Sequence, residues 1–318
     1  SNIGVFMSQL IFENIHIIKN DLDAIQAAYQ VADFALEGRN ERDQQRLLPF
    51  AEVDAFSEKG LGGIRIPKSF DGAFVSNKTL AHVFRIINKA DSSLGQIPQN
   101  QIALLNMIDI MGTDKQKHFI FNEILKGKRL ANGGPERHTK DTKTLNTTLI
   151  EENGHLFVNG EKFYSTGSSF AHWLAIKAVH PEGYVVLTII DRQADGVEVI
   201  DNWNGFGQRT TSSGTVKLTH VEVNPLLVFD ERKLANQTNY RGAFSQLIQV
   251  AIDVGIAEAA LEDTLSAVKK ARPIADAQVE KASFEHYTLQ EVGKSVVLLD
   301  AAILLLDEAA EYLDELDA

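Results

Sequence analysis

Trp203, Arg209 and the hydroxyl row Thr210, Thr211, Ser212 and Ser213 fall within one short run, Trp203 to Thr215, that also holds Phe206 and the glycines Gly205, Gly207 and Gly214. These residue types can bind a flat, polar ligand. Glycines let backbone approach closely, hydroxyls donate or accept as needed, the two aromatics offer ring faces, and Arg209 can hold an anion. The same composition also suits a plain connection between strands. Gly205-x-Gly207 begins a dinucleotide fingerprint, but position 210 is Thr and the next segment alternates like a strand, whereas that fingerprint must open a helix. The dinucleotide reading is therefore rejected.

Other chemistries fail on spacing. The nine histidines never form His-x-x-x-His or His-Glu-x-x-His, so no helix-borne metal site is expected. Neither a Gly-x-Ser-x-Gly elbow nor a phosphate-binding Gly-x-x-x-x-Gly-Lys-Ser/Thr run occurs. The absence of cysteine removes disulfides, thiolate zinc sites and thiol nucleophiles, which is compatible with a cytoplasmic chain. A net charge of −12 argues against nucleic acid and anionic membrane as partners. No window of eighteen consecutive apolar residues exists, so no membrane-spanning helix is expected. The first ten residues lack the basic and apolar regions of a secretory signal, and Met7 is a candidate native start.

The elements that position the run follow from periodicity. From about Phe12 to Asn132 apolar residues recur at three-and-four spacing, which predicts helices. Among these, Asp21-Leu22-Asp23-Ala24 opens one helix with a cap candidate, and Asp91 or Ser92 caps another. After Gly127 the texture turns to strands. Asn153-Gly154 and Asn159-Gly160 both read as hairpin turns bracketing a short strand, His155 to Val158. Trp173 to Val179, Tyr184 to Ile190, Val197 to Ile200 and Val216 to Val223 complete an antiparallel meander that Asn224-Pro225 is expected to end. From Arg241 the chain returns to helix, with seams Phe244, Leu247, Ala251 and Val254, then Leu289, Val292, Val296 and Leu299. Two such helices are poor cover for each other, so a four-helix bundle completed by further helices or another subunit is expected.

Asn159-Gly160-x-Lys162-Phe163-Tyr164-Ser165-Thr166-Gly167, followed by Trp203-x-Gly205-x-Gly207-Gln208-Arg209-Thr210-Thr211-x-Ser213-Gly214-Thr215-Val216, resembles the signature of the acyl-CoA dehydrogenase superfamily. Within it the match is to the flavin-dependent monooxygenase branch that includes sulfur-acquisition oxidoreductases and dibenzothiophene monooxygenase. Leu61 to Gly72 resembles the superfamily's Gly/Pro-punctuated loop, and Gly112 to Lys117 its helix entry before the middle domain. The Thr-Glu-Pro and Gly-Ser-Asp elements of acyl-CoA dehydrogenases are absent from Asn132-Gly133-Gly134-Pro135-Glu136-Arg137, which favours the monooxygenase branch.

The resemblance implies an α+β fold with three parts: an N-terminal helical domain over 1–131, a middle antiparallel β domain over 132–225, and a C-terminal helical domain over 226–318 with two long helices. It implies that Tyr164, Ser165 and Thr166 meet the polar edge of a flavin, that Trp203 walls its pocket, and that Arg209, Ser212 and Ser213 take phosphate or ring oxygens. Arg272 matches the position that reaches a phosphate across a subunit interface, in a homotetramer or dimer. Ser165 and Asn132 are the candidate catalytic residues, and Asn100-Gln101 the polar pair facing substrate. Superfamily members close the last domain with a further helix pair carrying a catalytic residue; its absence before Ala318 leaves open a fragment, helices from a partner, or lost activity. The expected function is oxidation of a small organosulfur or similar apolar compound with reduced FMN from a separate flavin reductase. The alternatives are an FAD-dependent acyl-CoA dehydrogenase and a truncated non-catalytic subunit.

Overall fold

The computed structural model describes residues 14–318. Seven helices come first: α1 (Asp21–Leu36), α2 (Arg39–Gln45), α3 (Phe50–Glu58), α4 (Asn77–Ala90), α5 (Ser92–Gln96), α6 (Gln99–Met111) and α7 (Asp114–Leu125). Their starts are chemically marked. Asn20, one residue before the expected cap, accepts the N–H of Asp23 and opens α1, because a side-chain oxygen there satisfies an amide the helix cannot. Asp91 accepts from Ser93 and Leu94 to open α5, and Thr113 with Gln116 forms a reciprocal capping box on α7.

The strands are β1 (Leu130–Gly133), β2 (Thr148–Glu152), β3 (His155–Lys162), β4 (Trp173–Val179), β5 (Val185–Asp191), β6 (Val197–Ile200), β7 (Thr215–Val223) and β8 (Val228–Asp230). They pair in the order β6-β7-β3-β2-β4-β5-β8, with β1 added against β4. The sheet is mixed rather than purely antiparallel, since β1 and β2 both run parallel to β4. The β region begins at Leu130, slightly before the expected boundary. It also continues past Pro225, which opens a short helical turn leading into β8 on the free edge of β5.

Asn153-Gly154 makes the expected hairpin, both residues having positive φ, 52° and 81°, as a two-residue primed turn requires. Asn159-Gly160 does not turn. The strand continues to Lys162 through a register shift against β7 between Val158 and Gly160. Two contacts account for this. Asn159 Oδ1 accepts the N–H of His220 at 2.7 Å, and a Cβ on Gly160 would lie 2.2 Å from Thr147 Oγ1. Glycine here admits a neighbour into a bulge.

The chain ends with α8 (Arg232–Ala235), α9 (Arg241–Lys270) and α10 (His286–Asp317). By length and mean hydropathy alone α9 is long and apolar enough to cross a membrane, although it holds no run of eighteen consecutive apolar residues. Its first half is nonetheless core: Phe244, Leu247, Ile248, Ala251, Ile252 and Val254 are buried, and α9 packs chiefly against α4, the end of α10 and α6. The second half is bare, as the expectation of poor cover required. Of α10 only Leu306, Ala310 and Leu313 are buried, while Val297, Leu298, Leu304 and Leu305 are 66–71% exposed.

Candidate functional site

Two segments meet at one end of the sheet, the continuation of β3 through Tyr164 to Ser169 and the β6–β7 connection from Asp201 to Gly214. Backbone bonds join them: Ser165 N–H donates to the Gly214 carbonyl and Gly167 N–H to that of Thr211, each at 3.2 Å. Hydroxyls reinforce the seam. Ser213 Oγ lies 2.7 Å from both Thr166 Oγ1 and Thr211 Oγ1, and Ser212 Oγ lies 2.5 Å from Ser169 Oγ.

Strained backbone collects here. Tyr164, Gln208 and Ser212 have φ of 54°, 45° and 49°, a left-handed conformation that costs a non-glycine residue about 1–3 kcal/mol and persists only where surroundings enforce it. The result is an aromatic wall. Tyr164, half exposed, meets Trp203 edge-on with ring centroids 6.0 Å apart. The Trp203 indole donates to the Gln208 carbonyl, and a Cβ on Gly205 would stand 2.3 Å from the indole. Gln208 in turn donates to the Ser92 carbonyl and to Gln96 Oε1, tying the wall to α5.

Tyr164, Ser165, Thr166, Trp203, Arg209, Ser212 and Ser213 are thus brought together, but their roles separate. Ser212 and Ser213 are buried and bonded to neighbouring hydroxyls. Ser165 Oγ is fully buried with no hydrogen-bond partner, as is Ser168 Oγ. Arg209 makes no hydrogen bond, ion pair or ring contact with the described residues. A buried hydroxyl without a partner costs about 1–3 kcal/mol, so Ser165 is suited to a polar group brought from outside the chain.

Asn132 sits on β1 in register with Ala175. Its loop is anchored by Lys162, which donates to Glu136 at 2.7 Å and to the Gly134 carbonyl at 3.2 Å; both side chains of the pair are almost wholly buried. Burial alone would raise the Glu136 carboxyl, but hydrogen bonds from Lys162, the Asn146 N–H and the Thr147 hydroxyl hold it below its ordinary value. Arg137, carried by the same loop, stacks over Phe163 at 3.1 Å from the ring centroid.

Asn100 is half-buried at the start of α6. Gln101 is committed elsewhere: its amide donates to the Gly62 carbonyl and accepts from Leu130 N–H, which makes it a brace between the Gly-rich turn and β1. Arg272 is exposed just beyond α9 and joins none of the site's hydrogen bonds. Sequence reading gave no role to Gln208, Glu136, Arg137 or Asp201. Lys162 lay within the quoted motif, but its partner could be found only by folding.

Behind the site, His172 precedes β4 and its Nδ1 accepts the Arg129 N–H at 3.0 Å. Burial first, then the charges of Arg129 and Lys128, lower its pKa from 6.5 to about 4. Between those values the unfolded chain binds a proton that the folded chain refuses. Stability is therefore full above pH 6.5 and declines toward pH 4, by about 3 kcal/mol at most. In urea titrations at pH 7 and pH 4.5, His172→Asn is expected to lose less stability over this window than the wild type; equal losses would remove His172 as the cause.

Residues 24–128 match the family model of the acyl-CoA dehydrogenase N-terminal domain. The chain is 28% identical over 287 residues to a dibenzothiophene monooxygenase of Mycolicibacterium goodii, covering 86% of this chain and 69% of that one. It is 26% identical over 296 residues to a probable FMNH2-dependent monooxygenase, SfnC, of Pseudomonas putida, covering 92% and 74%. The crystal structure of FMN-bound TdsC from Paenibacillus sp. A11-2 superposes with a TM-score of 0.84 at 27% identity, over 92% of this chain and 77% of that one.

Proposed function

We propose, from the premise that the chain is a member of the acyl-CoA dehydrogenase superfamily in its flavin-dependent monooxygenase branch, that it is a reduced-FMN-dependent monooxygenase of small organosulfur compounds serving sulfur acquisition. The observation that carries this reading is the closure of the Tyr164–Ser169 turn onto the Asp201–Gly214 loop, which leaves a buried, unpartnered Ser165 hydroxyl beside an aromatic wall. When bound, reduced FMN supplies the two electrons that split dioxygen, one oxygen atom going to the substrate and the other to water.

The chain's residues fit such a ring. Ser165 and the turn backbone face its polar edge, Trp203 and Tyr164 flank it, and Arg209 is available for an anionic group. Ser212 and Ser213 hold the loop in shape rather than touching the ligand. Asn132 and Asn100 supply the polar points of an otherwise apolar substrate pocket, and the packed wall excludes water from the reacting centre.

The bare half of the α9–α10 hairpin favours assembly with further copies of this chain into a four-helix bundle. In such a dimer or tetramer Arg272 would reach a neighbour's cofactor phosphate. We place the enzyme in the cytoplasm, beside a flavin reductase that supplies its FMNH2.

The test uses the purified chain. Titration with FMN and FAD identifies the flavin, and anaerobically reduced FMN mixed with oxygen and a thioether such as dibenzothiophene is expected to yield the sulfoxide. A chain that binds neither flavin and forms no oxidised product would overturn the reading. Bleaching of bound flavin by an acyl-CoA under nitrogen would favour the dehydrogenase alternative instead.

A further inference from the structure

The site loop is held from outside by one ion pair. Arg46 follows α2 with a left-handed backbone, φ 53°, and its guanidinium grips both carboxylate oxygens of Asp201 at 2.6 and 2.9 Å, across 155 residues of sequence. That two-point geometry fixes direction as well as distance. The same Asp201 Oδ1 accepts the Ser212 hydroxyl at 3.0 Å, and Ser212 Oγ reaches Ser169 Oγ on the opposing turn. Ser212 is itself left-handed and buried. A line of contacts therefore runs from the helical domain to both halves of the candidate site.

We infer that Arg46 and Asp201 are positioning residues: the pair holds Ser212 in its left-handed conformation and thereby keeps the hydroxyl row and the Trp203 wall in the shape that receives the flavin. Neither residue is assigned to touch the ligand. Without the carboxylate, Ser212 loses the acceptor that rewards its strained backbone, and relaxation there moves Ser213, to which Thr166 is bonded. The inference rests on the flavin reading for its effect on binding, but its effect on the loop does not.

The experiment has two arms on the full chain. In a Trp173→Phe background, which leaves Trp203 as the only indole, Asp201→Ala is expected to shift Trp203 emission in the absence of any flavin. In FMN titrations Asp201→Ala and Arg46→Ala are each expected to weaken binding about tenfold, the size of one charged hydrogen bond. The double variant should be no weaker than either single one, since both break one unit, and Arg46→Lys should recover part of the loss.

Arg85→Ala is the comparator. It breaks a more buried ion pair of 2.7 Å between α4 and α9 and should lower thermal stability without moving FMN affinity. Wild-type chain that fails to bind FMN sinks the functional reading, and the emission arm then decides the latch alone. Unchanged Trp203 emission in Asp201→Ala, or additive losses in the double variant of a chain that does bind FMN, overturns the inference.

Discussion

Replacing Lys162 with Met is expected to cost about 3–5 kcal/mol of stability, read as a lower urea midpoint, because it strands the Glu136 carboxylate in the interior. Glu136 would keep the amides of Asn146 and Thr147 and the Thr147 hydroxyl. Those hydrogen bonds do not neutralise it. The companion Lys162→Met/Glu136→Gln retains a side-chain oxygen for these donors without a charge, so it should recover at least half of the loss. A double variant as unstable as the single one would mean that Lys162 matters through its packed stem and not its charge. The pair also has a functional reach. Lys162 is the last residue of β3, and Glu136 lies with Arg137 on the loop that leaves β1, the strand that carries Asn132, so the same variants should weaken flavin binding.

That ion pair marks the boundary of what the sequence could disclose. Alternation and turn residues located most of the strands and long helices, because hydrophobic period and turn chemistry are local properties. The quoted motifs located the two segments that meet, Tyr164 to Gly167 and Trp203 to Gly214. What escaped was long-range. Asn159-Gly160 reads locally as a turn, and only the packing of Thr147 against Gly160 and of Asn159 against His220 makes it a bulge. β8 is three residues long and stabilised by the edge of β5, so it leaves no periodic signal. Gln101 was expected to face substrate because the resemblance places a polar pair at this point of the helix. Its commitment to Gly62 and Leu130 depends on contacts 39 and 29 residues distant.

The hydroxyl row shows the same limit at higher resolution. Its composition announced a polar surface, yet four adjacent hydroxyls can either face a ligand or satisfy one another, and residue type does not distinguish the two. Folding divides them: Thr211, Ser212 and Ser213 are bonded within the seam, whereas on the facing turn Ser165 and Ser168 keep buried hydroxyls without a partner.

Ser165→Ala should therefore move stability and function in opposite directions. In the free chain the hydroxyl is buried and unpartnered, so removing it discards an unmet desolvation cost and leaves the urea midpoint unchanged or raises it by about 1 kcal/mol. Turnover with reduced FMN should fall about 10- to 100-fold, as expected when a donor aimed at a reacting polar group is lost from a dry site. A Thr in its place would restore the oxygen but add a methyl against buried neighbours, recovering turnover only where the turn can admit it. The decisive comparison is between the two readouts on one variant. A hydroxyl that only supports the fold would lower both together when deleted. A hydroxyl held in reserve for a cofactor lowers turnover alone, and a Ser165→Ala chain that is less stable yet fully active would remove Ser165 from the site.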